Sequence, residues 1–405
     1  MTSVFMNIWY ISKYAITTQE GFPSRQFMLT KQMAKKGHDV SLFYSRSNGK
    51  KSDRFWGCCR RQRLEGVSCY QLNGPLVSYG LSIKRIFSWI IFEWNLFVLL
   101  WLPNKLKRPD YIIVSSLSLL TFVTGIWLKR KYKTKLILEV RDIWPATIVE
   151  SGKFTENNIF VKILKKVELL GYDNADAFIS PLPKFDLYLK IQISKSFSFK
   201  CITQGYDEDF VTLVKTGLYE EYFSRDCFNI CYSGTIGRLN YIEVILDVAE
   251  RLKEYSKIKF LIIGDGPLKK QFIASNTNKN VVFLDSIPKK EVIPVLAKAD
   301  LLINIWGDLK IYQYGVSPNK WIDYLLSGVP CLVAYNGYRS MLNEAGCGFF
   351  VDTNNRDLIA SKILELSKMD TSFLKEMGER GKVYAEKHLN YMELAGELLK
   401  FVETV

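Results

Sequence analysis

A turn of small residues, Gly315-Val316-Ser317-Pro318-Asn319, runs into a helical pattern. That pattern carries Lys320 and Asp323 three positions apart, and so on one face. It stops at Ser327-Gly328-Val329-Pro330, and an apolar strand, Cys331-Leu332-Val333-Ala334, follows. Free N–H groups at a helix start, backed by a lysine, bind phosphate. A carboxylate one turn in accepts hydrogen bonds from a ribose diol. Together these residues point to a site for a nucleotide diphosphate-sugar. Two further turns have related chemistry. Tyr232-Ser233-Gly234-Thr235-Ile236-Gly237-Arg238 places two glycines and an arginine between a strand and a helix, and Ile263-Gly264-Asp265-Gly266-Pro267 closes another strand. Glycines allow close backbone approach, and an arginine clamps a diphosphate. Each turn alone is also a common structural device; three at successive strand ends of one sheet are much harder to explain that way.

These turns must be positioned by alternating strands and helices. In the first half, strands are expected at Val4–Ile11, Asp39–Tyr44, Asp110–Ser115, Lys135–Glu139 and Phe178–Ser180, with a helix over Gly21–Gly37. After a polar, broken stretch from about Lys190 to Asp226 the pattern restarts. Strands are expected at Phe228–Ser233, Lys259–Ile263, Val281–Leu284, Leu301–Ile305 and Cys331–Ala334, and helices at Tyr241–Tyr255, Lys289–Ala299 and after Ser317. Strands separated by helices make a parallel sheet covered on both faces, with ligands at the strand C-termini. At 405 residues, 48% of them apolar, the chain is long enough for two such cores. The expected architecture is α/β, two doubly wound Rossmann-like domains facing a cleft. They are an acceptor-binding domain over 1–205, a linker over 206–226, a nucleotide-sugar domain over 227–385 and a C-terminal helical segment over 386–405.

In this order the motifs resemble glycosyltransferase family 4, of the GT-B fold. The resemblance implies that Gly234 and Arg238 face the diphosphate, with Lys320 the second cation on it. Gly264, Asp265 and Gly266 form the family's Gly-Asp-Gly-Pro turn, and Ile287-Pro288 falls where the family holds the base. Asp323 stands where a motif glutamate holds the ribose. The family's other motif glutamate, eight positions earlier, is Gly315 here, and the backbone of Val316, Ser317, Pro318 and Asn319 is left to serve the donor. In the first half, Gly21-Phe22-Pro23-Ser24-Arg25 and Lys36-Gly37-His38-Asp39-Val40 resemble the family's N-terminal glycine loop and helix end. Gln204-Gly205-Tyr206-Asp207 resembles its element at the domain junction. Arg141-Asp142-Ile143-Trp144-Pro145 is similar to an element of the bacterial surface-polysaccharide branch, which includes transferases of N-acetylated amino sugars (the N-acetyl-L-fucosamine type). Arg25, Arg141 and Trp144 are thereby placed on the acceptor side, and Asp142, Arg238 and Lys320 are the catalytic candidates. Asp142 has a plainer reading as a helix cap before Pro145. Trp321 and the residues from Asp308 to Tyr314 are expected around the sugar. The resemblance further implies transfer with retention from a UDP-linked donor. Cationic side chains take the part a divalent ion plays elsewhere, so no metal and no cofactor are expected.

The charge points to an acceptor. Residues 1–205 hold 31 Lys and Arg against 14 Asp and Glu, a net +17, while residues 206–405 hold 24 against 27, a net −3. A basic first domain suits an anionic membrane surface. The most apolar run, Ile86–Leu102, contains Trp89, Trp94 and Trp101, with Glu93 and Asn95 inside, and ends in a basic flank, Pro103 to Arg108. Lying in the membrane interface is the favoured reading; a helix buried on the first sheet and a spanning helix are the alternatives. The expected acceptor is a polyprenyl-diphosphate-linked sugar in capsule, O-antigen or exopolysaccharide assembly. The expected location is cytoplasmic and peripheral on the inner face of the cell membrane, since no signal peptide precedes the first strand. A 2-epimerase of the UDP-N-acetylglucosamine type would share the fold, but the chain has only His38 and His388 for acid–base work. Nucleic-acid binding is disfavoured because the basic residues are scattered among apolar runs. A dinucleotide oxidoreductase is disfavoured because neither first strand leads into Gly-x-Gly-x-x-Gly. Eight cysteines without zinc-site spacing read as reduced thiols.

Overall fold

The computed structural model describes residues 5–46, 55–76, 82–101, 106–211 and 216–405. The chain divides into two units, Met1–Thr203 with Tyr391–Val405, and Gln204–Asn390. The first contains β1 (Asn7–Ile11), α1 (Arg25–Lys35), β2 (Asp39–Ser45), β3 (Cys59–Leu64), β4 (Val67–Leu72), α2 (Ile83–Trp101), β5 (Tyr111–Ser115) and α3 (Leu120–Tyr132). It continues with β6 (Lys135–Glu139), α4 (Ala146–Glu150), α5 (Ile159–Asn174), β7 (Ala177–Ser180), α6 (Phe185–Gln192) and β8 (Ser198–Cys201). The sheet order is β3-β4-β2-β1-β5-β6-β7-β8. All its pairs are parallel except β3 with β4. The order reverses at β1, which is buried along its whole length, as expected of a strand with helices on both faces. Val4, the expected first residue of this strand, lies outside the described residues.

The β3–β4 hairpin escapes the sequence pattern because β3, Cys-Arg-Arg-Gln-Arg-Leu, is a cationic edge strand with no apolar alternation. Its turn is Glu65-Gly66, both at positive φ (47° and 87°), the backbone that a two-residue hairpin requires. The first sheet also runs one strand further than expected, to β8, which lies inside the polar, broken stretch from about Lys190.

The second unit contains β9 (Phe228–Ser233), α7 (Ile242–Arg251), β10 (Ile258–Ile263), α8 (Lys269–Ser275), β11 (Val281–Leu284) and α9 (Lys289–Leu296). It continues with β12 (Leu301–Ile305), α10 (Asn319–Ser327), β13 (Cys331–Ala334), β14 (Gly348–Val351), α11 (Arg356–Leu366) and α12 (Thr371–His388). Its sheet, β11-β10-β9-β12-β13-β14, is parallel throughout and reverses at β9. The expected linker over 206–226 is not a free connection. Tyr219, Tyr222 and Phe223 pack on the second unit's core, and Tyr206 pairs with Asn390.

The C-terminal segment is helical. α12 ends at His388, and α13 (Tyr391–Glu403) belongs to the first unit, packed on α1. Its buried residues, Tyr391, Leu394, Ala395, Leu398, Leu399 and Val402, recur at helical spacing and form one apolar face.

α2, which holds the apolar run, has one buried and one exposed face. No helix of the described residues is long and apolar enough to cross a membrane. Ser88, Trp89, Phe92, Leu96 and Leu100 form the buried face, while Ile83, Phe87, Ile90, Trp94 and Trp101 are exposed. Trp89, expected among the interfacial tryptophans, is buried and donates to Tyr14 Oη at 2.5 Å. Residues 102–105 of the basic flank lie outside the described residues. Lys107 pairs with Asp39 at 2.9 Å, and Arg108 donates to Lys133 O at 2.9 Å, so both are engaged within the protein.

Candidate functional site

The turns after β9 and β10 are built on each other. Gly234 N donates to Ile263 O at 3.0 Å, and Ile236 N donates to Asp265 O at 2.9 Å. Gly264 has φ +153°, and a Cβ there would lie 1.9 Å from Gly234 O; a Cβ on Gly266 would lie 2.3 Å from Ile236 O. These glycines therefore make room for the neighbouring turn, while Asp265 remains exposed at the surface. Gly264→Ala is expected to cost about 1–3 kcal/mol through overpacking and to abolish nucleotide binding. Denaturant unfolding and nucleotide titration of the full chain check this, and unchanged values for both would remove the turn-to-turn contact from the site.

α10 begins at the same edge of the sheet. Pro318, at its N-cap position, gives no side-chain cap. The N–H groups of Val316, Ser317, Asn319 and Lys320 have no hydrogen-bond partner among the described residues. Lys320 is half-buried at its surface, but its ammonium lies deep. It donates to Tyr232 Oη at 3.2 Å and Asn240 Oδ1 at 3.1 Å, and sits 4.6 Å from the centre of the Tyr232 ring. A Cβ on Gly234 would lie 3.4 Å from Nζ. Among the described residues no carboxylate pairs with Lys320, and burial lowers its pKa to about 8. Arg238 stands exposed in the turn that supplies Asn240 and makes no hydrogen bond or ion pair among the described residues. Lys320 thus adjoins Gly234 at an uncapped helix start, Arg238 stands four residues further along the same turn, and no carboxylate among the described residues pairs with either cation.

Other candidates have different surroundings. Asp323 is gripped through both carboxylate oxygens by Lys289; burial raises its pKa and Lys289 opposes that. Lys289, at the start of α9, escaped sequence reasoning, although it lies two residues past Ile287, itself half-buried against the core. Ser317 is fixed by its side chain, whose Oγ accepts from Gln204 N at 2.9 Å. Gly315 has φ +84°, a backbone in which a side chain is strained, so this turn is not built for the family's glutamate. Trp321 does not line a sugar pocket: it is fully buried, and its indole donates at 2.8 Å to Asn304, which also accepts from Trp306 at 2.9 Å. Asp207-Glu208-Asp209 has the spacing of a metal-binding pair, but Asp207 accepts from Asp209 N at 3.0 Å and starts a 3-10 turn. No group of three metal-ligating side chains occurs among the described residues.

In the first unit, Gly21 has φ +152° and open space around it. Arg25 is not free for an acceptor. It is buried, pairs with Glu139 at 2.9 Å and donates to the carbonyls of Ile202 (2.8 Å) and Thr203. Burial would raise the pKa of Glu139, but Arg25 and then Arg141 outweigh it and hold the carboxyl low. Arg25→Met would strand that charge and is expected to destabilise the protein by about 3–5 kcal/mol. Denaturant unfolding checks this; a change below about 1 kcal/mol would place the pair in the class of weak surface bridges.

Arg141 is half-buried, and its Nε has no hydrogen-bond partner. Asp142 accepts from Trp144 Nε1 at 3.1 Å and Thr147 Oγ1 at 2.6 Å, while burial raises its pKa. It is not the cap of α4, whose N-cap position is Pro145. Sequence reasoning also missed Lys13, which is buried beside Tyr14, and burial lowers its pKa to about 8. Glu93 of α2 accepts from Thr121 (2.7 Å) and Thr124 (2.5 Å), and burial raises its pKa to about 7. The only sequence sign of Glu93 was its place as a lone carboxylate in the apolar run.

Residues 224–384 match the glycosyl transferases group 1 family. The Pseudomonas aeruginosa protein described as "probable glycosyltransferase WbjE" is 23% identical over 310 residues, 74% of each chain. Sucrose-phosphate synthase of Thermosynechococcus elongatus has the same fold, with a TM-score of 0.74 at 14% identity over 98% of both chains. HepE of Anabaena, in complex with UDP, gives a TM-score of 0.67 at 12% identity over 99% of this chain and 100% of its own. The chain therefore has the GT-B architecture of two Rossmann-like domains, and through its glycosyl transferases group 1 domain it is a glycosyltransferase.

Proposed function

We propose that this protein transfers a sugar, with retention, from a UDP-linked donor to a lipid-linked acceptor in the assembly of a bacterial surface polysaccharide. The observation that carries the donor half is the buried Lys320 ammonium, neighboured by Tyr232, Asn240 and open backbone N–H groups instead of a carboxylate. Such a site is suited to a diphosphate. When the bond from the sugar carbon to the diphosphate breaks, the leaving oxygen takes the electron pair, and Lys320, Arg238 and the α10 N-terminus stabilise the charge. The acceptor hydroxyl forms the new bond, and its proton passes to the leaving phosphate. Cationic side chains supply the charge neutralisation, with no metal or cofactor in the scheme. Solved relatives lend support: HepE is described with UDP and with UDP-glucose, and WaaG as a glycosyltransferase involved in lipopolysaccharide biosynthesis.

The acceptor half rests on the outer face of α2. Trp94, Phe97, Trp101 and Trp127 form a run of ring contacts 4.9–6.3 Å apart. Trp94 is 64% and Trp101 61% exposed, with Lys131 over the Trp127 ring at 5.1 Å. Aromatic side chains with a cation beside them are the composition of a membrane-interface helix. Arg141, Asp142 and Trp144 are the acceptor-side residues of this reading. A panel of nucleotide-sugars, offered to purified protein with bacterial lipid extract, tests it through nucleotide release and label in the lipid phase. Label from one donor entering lipid is the expected result; donor hydrolysis or binding without lipid labelling would reject the lipid-linked acceptor.

A further inference from the structure

The first unit contains a second cation whose surroundings lack an anion. Arg46 follows β2 directly and is 8% exposed. Its Nη2 donates to Gly74 O at 2.9 Å, while its buried Nε has no hydrogen-bond partner. Arg25, equally buried, shows how this fold satisfies a guanidinium it keeps for itself, with one carboxylate and two carbonyls. Arg46 has no carboxylate partner among the described residues, and uncompensated buried charge is costly.

Arg46 lines a cavity of about 530 Å³ together with Cys58, Asn73, Ile91 and Asn95, with no acid in the lining among the described residues. The amides are held in place: Asn95 Nδ2 donates to Asn73 O at 2.9 Å, and Asn73 Nδ2 donates to Gly57 O at 3.0 Å. Ile91 and Asn95 belong to α2, and their neighbours Ile90 and Trp94 are exposed on its outer face. One helix thus offers a polar cavity wall and an apolar outer face within a turn of each other.

We propose that this cavity binds the phosphoryl group of an amphiphile whose apolar chain lies along the outer face of α2. A guanidinium edge and the second N–H of Asn95 suit a phosphoryl group, while Asn73, whose Nδ2 donates to both Phe55 O and Gly57 O, holds Asn95 in place; a volume of this size leaves room for what the phosphate carries. The source of the phosphoryl group depends on the membrane reading above: it is an anionic phospholipid of the bilayer or the polyprenyl diphosphate of the acceptor.

Vesicle sedimentation of the full chain separates the two sources, using phosphatidylcholine alone, phosphatidylcholine with phosphatidylglycerol, and phosphatidylcholine with polyprenyl diphosphate. Arg46→Met is expected to bind about tenfold more weakly wherever the phosphoryl ligand is the source, with binding to phosphatidylcholine and UDP unchanged. A loss confined to the phosphatidylglycerol arm assigns the bilayer, and a loss in the polyprenyl arm assigns the acceptor. Asn95→Leu, which is nearly isosteric, removes the amide and keeps the arginine, should weaken binding in the same arms. A readout independent of membranes is alkylation of Cys58, followed by peptide mass spectrometry, with inorganic diphosphate as the probe. Diphosphate should slow alkylation in the wild type and not in Arg46→Met. Protection without any vesicle binding would keep the cavity site and discard the membrane reading. Wild-type behaviour of Arg46→Met in every vesicle arm, with no protection of Cys58, would overturn the proposal.

Discussion

Lys320→Met is expected to lower the rate of sugar transfer by about 10²–10³-fold, the usual cost of removing one preorganised group from the developing charge. Methionine fills a similar volume, so Tyr232, Asn240 and Gly234 should keep their places and the loss should report charge. The pH profile makes the assignment specific. The free ammonium titrates at about 8 because burial lowers it. Below that pH it is charged and the diphosphate meets a cation; above it, affinity for UDP should decline with the charge. A bound diphosphate would favour the protonated form and move the decline upward. The methionine variant should bind weakly and without this dependence. The unliganded protein supplies a second check. The lysine's pKa is lower folded than unfolded, so between about pH 8 and the ordinary lysine value of about 10.5 the unfolded chain holds the extra proton. This lysine's contribution to stability should therefore rise with pH across that window, and the variant should lack the rise. Tight, wild-type-like UDP binding with the same pH profile in Lys320→Met would exclude this lysine as the diphosphate cation.

Trp94→Glu combined with Trp101→Glu is expected to reduce partition onto anionic vesicles on the order of a hundredfold, through lost apolar burial and added negative charge. UDP binding should be untouched, because both side chains project from a helix of the first unit. Trp89→Ala serves as the contrasting control. Its ring is buried against Trp144 at 6.1 Å, so it should lower stability without selectively lowering vesicle binding. If the double variant sediments with vesicles as the wild type does, the exposed face of α2 is not the attachment surface.

The sequence was most informative where one physical demand dominated. Strands buried on both faces, such as Leu301–Ile305 and Cys331–Ala334, show as short apolar runs and lie where expected. The three glycine turns were equally visible, because close backbone approach leaves few alternatives to glycine. What the glycines approach was not visible: Gly264 and Gly266 fit against the backbone of Gly234 and Ile236, across more than twenty residues of chain. Side-chain pairing was the least legible layer. Arg25 looked like an acceptor cation until Glu139 was found beside it, and Asp323 looked open until Lys289 closed on it. Trp321 could be read as a pocket wall only without Asn304. In each case the partner lies on another element, so neither spacing nor residue type announces it. β3 and β8 were missed for a simpler reason: their exposed faces remove the apolar signal, while buried β4 carries Ser68 and Gln71 within its run.

The closing helix α13 has a consequence for how the molecule is made. Because it completes the first unit, that unit is interrupted in the chain by all of Gln204–Asn390. A ribosome therefore finishes the second unit first, and its two ends meet where Tyr206 N donates to Leu389 O at 2.9 Å. The face of α1 that receives α13 stays uncovered until residues beyond 390 emerge. Through that interval the nascent chain carries a folded insert inside an unfinished host, so the first-made half is the last to close and has the longest exposure to chaperones.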